Sequence, residues 1–454
     1  MQNTDRKPLI SARPSAPLVT SAATALRVPG DKSISHRALM FGAMAIGETR
    51  ITGLLEGEDV LRTAAAMRAL GAEVMRDGDL WRVAGRGVGG LIEPADVLDM
   101  GNSGTAARLL SGVLASHPFF SVMTGDASLR SRPMRRVTEP LAACGARFTS
   151  REGGRLPLSI EGARDALPLD TTTSVPSAQV KSALLLCGLN APGLTCVVER
   201  EATRDHTENM LRHFGAEVTV EANGHSRIIT LRGQPHLRAA DVVVPGDPSS
   251  AAFPIVAALL VPGSRVVILG VGLNILRTGL FTTLREMGAR LAIENHRLEG
   301  GEEVGDIVAE YTELTAVDVP PERAPSMIDE YPVLAVAAAS ARGVTRMRGL
   351  KELRVKESDR LAATAALLKV NGVRVAIEGD DLLVWGDGGA PAGGGLVETH
   401  MDHRLAMSAL MLGLSTANPV AIDDASFIDT SFPGFVALVN STIGNGAGDA
   451  LRAA

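Results

Sequence analysis

Aromatic side chains are nearly missing from this chain of 454 residues: Phe, Tyr and Trp together make up 3%, although apolar residues reach 45%. A core of that composition has to be packed from Ala, Val, Leu, Ile and Met, and the 48 glycines allow close backbone approach. Cysteine is scarce as well. Cys144, Cys187 and Cys196 form no CxxC pair, which excludes a disulfide framework and a zinc cluster and points to the reducing cytoplasm. No apolar run reaches the ~18 residues of a membrane span. Positive charge is not in excess either. A net charge of −6 argues against a nucleic-acid or polyanion-binding surface, while leaving room for a local basic site. There is no GxxxxGK[ST] phosphate loop, and the HMDH stretch (His400, His403) lacks the further ligands a metal would need, so no metal is expected.

What the chain has in quantity is internal repetition. The phrase MRALGAEV (67–74) returns as LAACGARF (141–148), LRHFGAEV (211–218), LREMGARL (284–291) and, more loosely, LLKVNGVRV (367–375). Each reads as the end of an amphipathic helix, a glycine cap at 71, 145, 215, 288 or 372, and the start of a strand. A second phrase, beginning at residues 32, 102, 177, 248, 327 and 401, opens on polar or capping residues and runs into a helix apolar on every side. Such helices should be buried, with the amphipathic ones outside them. Six units of strand, buried helix, strand, outer helix and strands follow. VPGD at 28–31 and again at 244–247 marks two crossings between domains. The expected division is residues 1–27 as a loose tail and the start of the C-terminal domain, 28–244 as a three-repeat domain, and 245–454 as another. The tail after Gly444 is expected to fray.

Helix N-termini carry unpaired N–H groups and about half a positive charge, so six of them facing one cleft would form an anion site. Their decoration differs. Lys32, Ser33 and Arg37 stand at the first, Asn102, Ser103 and Thr105 at the second, Ser177 and Gln179 at the third, Asp329 and Glu330 at the fifth, and Asp402, His403 and Arg404 at the sixth. The fourth has only Ser249 and Ser250 and reads as a bare structural copy. Arg130, Arg132, Arg204, Lys356 and Arg360 lie between helices; any one of them alone would read as a solvated surface residue.

The motifs PGDKSISHRA, GNSGTAARLL, RSRPM, SAQVKSALLL, TRDHTE, DEYPVLAVAAA, RVKESDRL and DHRLAM, in this order from about residue 26 to 435, resemble the 5-enolpyruvylshikimate-3-phosphate synthase family in its class II bacterial form. The resemblance implies an α/β fold of two domains, each of three βαβαββ repeats (an inside-out α/β barrel), with buried helices pointing their N-termini at an interdomain cleft. It implies transfer of the enolpyruvyl group of phosphoenolpyruvate to the 5-hydroxyl of shikimate 3-phosphate through a tetrahedral intermediate, with release of phosphate and no cofactor. By motif position, Lys32, Gly104, Arg132, Gln179, Arg360 and Arg404 would hold phosphoenolpyruvate. Lys32, Ser33, Arg37, Ser177, Ala178, Gln179, Arg204, Asp329 and Lys356 would hold shikimate 3-phosphate. Asp329 would act as the base and Glu357 as the proton donor, with Lys32 beside them. A protonated Glu357 near Lys32 and Lys356 runs against the preference of cations for carboxylate.

The resemblance also implies a monomer and the inhibitor glyphosate, for which Gly104 leaves space. It departs at Thr430, where many members carry lysine. The sequence speaks against two rivals. A UDP-N-acetylglucosamine enolpyruvyl transferase would carry a reactive cysteine before Arg132-Pro133, where this chain reads GDASLRS. A non-catalytic anion-binding scaffold would have little use for Asp329 and Glu357.

Overall fold

Six helices are buried along nearly their whole length: Lys32–Met44, Gly104–Ala115, Ala178–Gly188, Pro248–Leu260, Tyr331–Ala339 and His403–Gly413. In the last three every residue is buried, as a helix without a polar face requires. The computed structural model describes residues 6–21, 23–224, 226–443 and 449–454.

The second repeat shows the plan. A short strand, Leu98–Asp99, leads into the inner helix Gly104–Ala115. The strand Phe120–Thr124, the outer helix Arg135–Leu141 and the hairpin Arg147–Arg151 with Arg155–Glu161 follow. In the resulting sheet Leu98–Asp99 runs parallel to Phe120–Thr124, which pairs antiparallel with Arg155–Glu161, and that strand with Arg147–Arg151. Leu156, Leu158 and Ile160 point inward on alternate residues. The third and fifth repeats show the same strand order. The repeated glycines explain how each outer helix stops: Gly71, Gly145, Gly215, Gly288 and Gly372 all lie at φ between +79° and +101°, where a side chain would be strained.

The chain divides into two compact units. One comprises residues 30–244 with 299–302, the other the chain up to Pro29 with 245–298 and 303–454. Each has its own core, built around Leu39, Leu109, Leu185 and Val197 in the first and Ile255, Leu334, Val384 and Leu410 in the second.

The ends of the chain correct the expectation of loose tails. Leu9–Ser11 is a strand pairing antiparallel with Val420–Ile422 on one side and Leu451–Ala453 on the other. Leu18 and Leu26 are buried in the core of the same unit. The physical reason is that, among the described residues, the sixth repeat has no hairpin of its own, so strands from both ends complete its sheet. Of the stretch from 444 onward, residues 444–448 lie outside the described residues. The first repeat borrows similarly: its parallel edge strand is Val242–Val243, paired with Glu48–Thr52.

Two inner helices touch through backbone because glycine stands at their crossing. A Cβ on Gly112 would lie 2.0 Å from the carbonyl oxygen of Ala183 and 2.8 Å from its Cα. The helices Gly104–Ala115 and Ala178–Gly188 therefore meet without side chains between them. Gly112→Ala must force them apart and should lower stability by roughly 1–3 kcal/mol. Chemical denaturation would register this as a lower midpoint at unchanged slope, and an unaltered midpoint would contradict the crossing.

Candidate active site

The first unit presents three inner-helix starts. At the first, Asp31 caps the helix, its carboxylate accepting from the Ile34 N–H at 2.9 Å. This leaves Lys32 as the first helical residue, and its Nζ pairs with Asp59 Oδ2 at 3.0 Å. Ser33 is half-buried beside it. Arg37, one turn on, is buried, donating from Nε to Thr207 Oγ1 at 2.7 Å, from Nη2 to Ser182 Oγ at 2.7 Å and from Nη1 to the Ser33 carbonyl at 2.9 Å. Burial pushes its guanidinium pKa down to about 10, although Glu208 and Asp31 pull the other way.

The second and third starts are stitched together. Ser103 caps the second helix through the Ala106 N–H. Asn102 holds Arg132, accepting from its Nη2 at 2.6 Å, while Asn102 itself donates to Asp126. Gln179 accepts from Arg108 Nη1 at 2.6 Å and donates to Thr105 Oγ1 at 2.9 Å, so a neighbour on each side fixes its amide. Gly104 sits between the two arginines: an added Cβ would lie 3.0 Å from Nη1 of both Arg108 and Arg132. Ser177 occupies the cap position of the third helix, before Ala178, and its side chain makes no capping hydrogen bond. Arg204 is half-buried in the connection between the strand Leu194–Glu199 and the outer helix His206–His213.

That connection is anchored from below by Lys181, 1% exposed inside the third helix. Its ammonium lies 2.9 Å from Glu199 and 2.8 Å from Glu208 and donates to the Thr203 carbonyl at 3.3 Å. Burial opposes its charge, but the Glu208 and Glu199 carboxylates outweigh it and raise the pKa. Sequence reasoning missed Lys181 and Arg108. The signal for both was a cation inside an otherwise apolar helix run, where charge has to be answered.

In the second unit the fifth and sixth starts share one guanidinium. Arg360, the first residue of the outer helix Arg360–Val370, is fully buried. Its Nε donates to Asp402 Oδ2 at 2.9 Å, Nη1 to Asp329 Oδ1 at 3.3 Å, and Nη2 to Glu357 and to Asp402 Oδ1. Burial alone would lower its pKa; Asp402, Glu357 and Asp329 reverse that and hold it above the ordinary value. Lys356 Nζ stands 3.3 Å from the same Asp329 oxygen. Asp402 also caps the sixth helix through the Arg404 N–H, and Arg404 Nη1 lies 3.4 Å from the Asp329 carbonyl and 3.6 Å from Glu330. Asp329, Lys356, Glu357, Arg360 and Arg404 are thus one hydrogen-bonded cluster. Thr430 spends its hydroxyl on the Phe427 carbonyl at 2.7 Å.

Carboxylates interleaved with cations, next to buried helix starts, are what phosphate-bearing substrates and proton transfer both require. Among solved structures, the enolpyruvyl transferase NikO from Streptomyces tendae matches with a TM-score of 0.77 over 99% of both chains, at 19% identity, which speaks for the fold. EPSP synthase from Acinetobacter baumannii matches with a TM-score of 0.85 at 42% identity, covering 99% of this chain and 100% of that one. The architecture is that of an enolpyruvyl transferase. Residues 19–438 match the family model for EPSP synthase (3-phosphoshikimate 1-carboxyvinyltransferase). The 3-phosphoshikimate 1-carboxyvinyltransferase of Granulibacter bethesdensis is 72% identical over 95% of this chain and 96% of its own length. That of Acidiphilium cryptum is 67% identical over 100% of both. The chain belongs to the EPSP synthase family, an enzyme family of enolpyruvyl transfer in the shikimate pathway.

The first inner helix of the unit holding residues 30–244 carries a pH dependence. His36, fully buried and hydrogen-bonded from Nδ1 to Thr63 Oγ1 at 2.7 Å, has its pKa lowered well below 6.5 by burial, then by Lys32 and Arg37. A depressed pKa means that the unfolded chain binds the proton more readily. Stability is therefore full above about 6.5 and is lost as pH falls below it. Calorimetric melting of wild type should show a falling Tm from about pH 6.5 to 5, and His36→Gln should flatten part of that slope. An identical slope in the variant would show that His36 does not titrate on unfolding.

Proposed function

We propose that Lys32, Gly104, Arg132, Gln179, Arg360 and Arg404 hold phosphoenolpyruvate, and that Ser33, Arg37, Ser177, Ala178, Gln179, Arg204 and Lys356 hold shikimate 3-phosphate. The two substrates together carry a charge of roughly −5 to −6, since each phosphate contributes about −1.5 to −2. Lys32, Arg37, Arg132, Arg204, Lys356, Arg360 and Arg404 answer it. The observation that carries the proposal is the sharing of Arg360 by Asp329 and Glu357. Addition–elimination needs one base and one acid, and here both are tethered to a cation assigned to the substrate.

The 5-hydroxyl oxygen of shikimate 3-phosphate bonds to C2 of phosphoenolpyruvate while its proton passes to Asp329. The methylene carbon takes a proton from Glu357, giving a tetrahedral adduct. Loss of phosphate, with return of the methyl proton, leaves the enol ether product. Glu357 accepts a hydrogen bond from Arg360. A substrate anion that engages Arg360 competes with Glu357 for that cation and so favours the protonated acid that the first step consumes. The protein acts as a monomer in the cytoplasm, where its three unbridged thiols remain reduced.

Phosphate release by the purified protein should occur with phosphoenolpyruvate and shikimate 3-phosphate, and not with UDP-N-acetylglucosamine as acceptor. Asp329→Asn and Glu357→Gln should each lower kcat by roughly 10²–10⁴-fold. Full turnover in either variant would remove its assigned role, and silence of the wild type with both acceptors would overturn the reading of the site.

Glyphosate is proposed to occupy the space beside Gly104. A methyl there presses on Arg108 and Arg132. Gly104→Ala should therefore raise the inhibitory concentration by about tenfold or more, which corresponds to at least 1.4 kcal/mol of lost binding. Inhibition curves that superimpose for wild type and variant would refute the steric account.

A further inference from the structure

The fourth inner helix bears no charge in its first turn, yet a charge reaches it from elsewhere. Arg277 lies in the connection between the strand Arg265–Gly272 and the outer helix Gly279–Glu286. The connection at that place in the second, third and fifth repeats holds Arg132, Arg204 and Lys356, all assigned above to substrate. Arg277 is buried against the fourth helix start, and its Nη2 donates to Asp247 Oδ1 at 2.9 Å and to Ser249 Oγ at 2.8 Å. Asp247 is the cap of the fourth helix and accepts from the Ser249 N–H at 2.8 Å. Ser249 donates its hydroxyl proton to Glu330 Oε1. That same oxygen lies 3.6 Å from Arg404 Nη1. Arg277, Asp247, Ser249, Glu330 and Arg404 are all buried.

The direction of this relay follows from donor counting. A guanidinium has no acceptor, so Ser249 receives from Arg277 and its single proton is directed to Glu330. A hydroxyl polarised by a cation is a stronger donor, and Glu330 is held as an acceptor facing Arg404. A capped helix start does not need a buried arginine, whose desolvation is costly. Its contribution here is the orientation of what lies beyond Ser249.

We propose that Arg277 is a positioning residue for Arg404, acting through Ser249 and Glu330, and that it sets the affinity for phosphoenolpyruvate without touching it. The inference rests on the assignment of Arg404 to phosphoenolpyruvate. It treats the fourth repeat as a working part of the site whose cation has turned inward.

The experiment measures phosphate release for Arg277→Met, Arg277→Lys, Ser249→Ala and Arg404→Met, with the KM of each substrate determined at saturation of the other. Ser249→Ala breaks the relay but keeps the Arg277–Asp247 pair, so it remains informative where Arg277→Met fails to fold. Arg277→Met and Ser249→Ala should raise the KM for phosphoenolpyruvate about tenfold, as small misplacements of a substrate-holding group do, and leave that for shikimate 3-phosphate within about twofold. Arg277→Lys should recover part of the loss, since one ammonium can still reach Ser249. Ser249→Ala added to Arg404→Met should have no further effect on that KM. Equal rises for both substrates, no rise in a folded Ser249→Ala, or full additivity with Arg404→Met would overturn the proposal. If Arg404→Met alone leaves the phosphoenolpyruvate KM unchanged, the assignment of Arg404 falls and the inference with it.

Discussion

A helix that is apolar all round must be covered along its length, and that requirement organises everything else in this molecule. Six such helices among the described residues are each enclosed by sheet and outer helix, so polar chemistry gathers at their first turns, and the cations further along, Arg37, Arg108 and Lys181, are each answered by hydrogen-bonding partners. The unpaired N–H groups there have to be satisfied. Asp31, Ser103, Asp247 and Asp402 do so with their own side chains, while Ser177 stands at the third start with its hydroxyl uncommitted to the helix. Burial of the body concentrates the polar residues at the starts, and the cations follow them.

Electrostatic balance in the two units is reached in different ways. In the unit holding residues 30–244, Arg37 is answered mostly by neutral oxygens of Thr207, Ser182 and Ser33. In the other, Arg360 is answered by the carboxylates of Asp402, Asp329 and Glu357. In the first arrangement the guanidinium spends its hydrogen bonds on neutral oxygens while Glu208 and Asp31 act on it through their charge, which suits it to holding an anion. The second ties the carboxylates proposed to transfer protons to a cation, suited to exchanging one anion for another. Lys181 beneath Arg204 and Arg277 behind Ser249 belong to the supporting structure of these arrangements.

The repeats were legible because they are written in residues with one physical meaning: glycine at five outer-helix ends, where only positive φ fits, and unbroken apolar runs for the inner helices. The inner-helix starts at Lys32 and Pro248 fall where the sequence phrases begin, and the others lie one to four residues later, after a capping turn. The strand Leu9–Ser11 was not legible. Three residues amid Ser, Pro and Thr carry no periodicity, and their partners stand at the opposite end of the chain. Arg277 was hidden for a related reason. Its local sequence, NILRTGL, reads as an exposed turn, and only the fold shows that it points at a helix cap thirty residues earlier. Local pattern reveals elements; which charge answers which is decided by tertiary neighbours.

The sheet completed by both chain ends has a consequence in time. On the ribosome Leu9–Ser11 emerges long before its partners Val420–Ile422 and Leu451–Ala453. The unit formed around residues 30–244 can gather nearly all of its core while synthesis continues. The other unit, though it contains the start of the chain, cannot close its sixth sheet until the final strand is released. Leu26 can bond to Val267 once that strand is made, but Leu9–Ser11 must wait for both of its partners. Pro8, Pro14 and Pro17 around that strand are what such a wait favours, since proline withholds the N–H that a wrong partner strand would need.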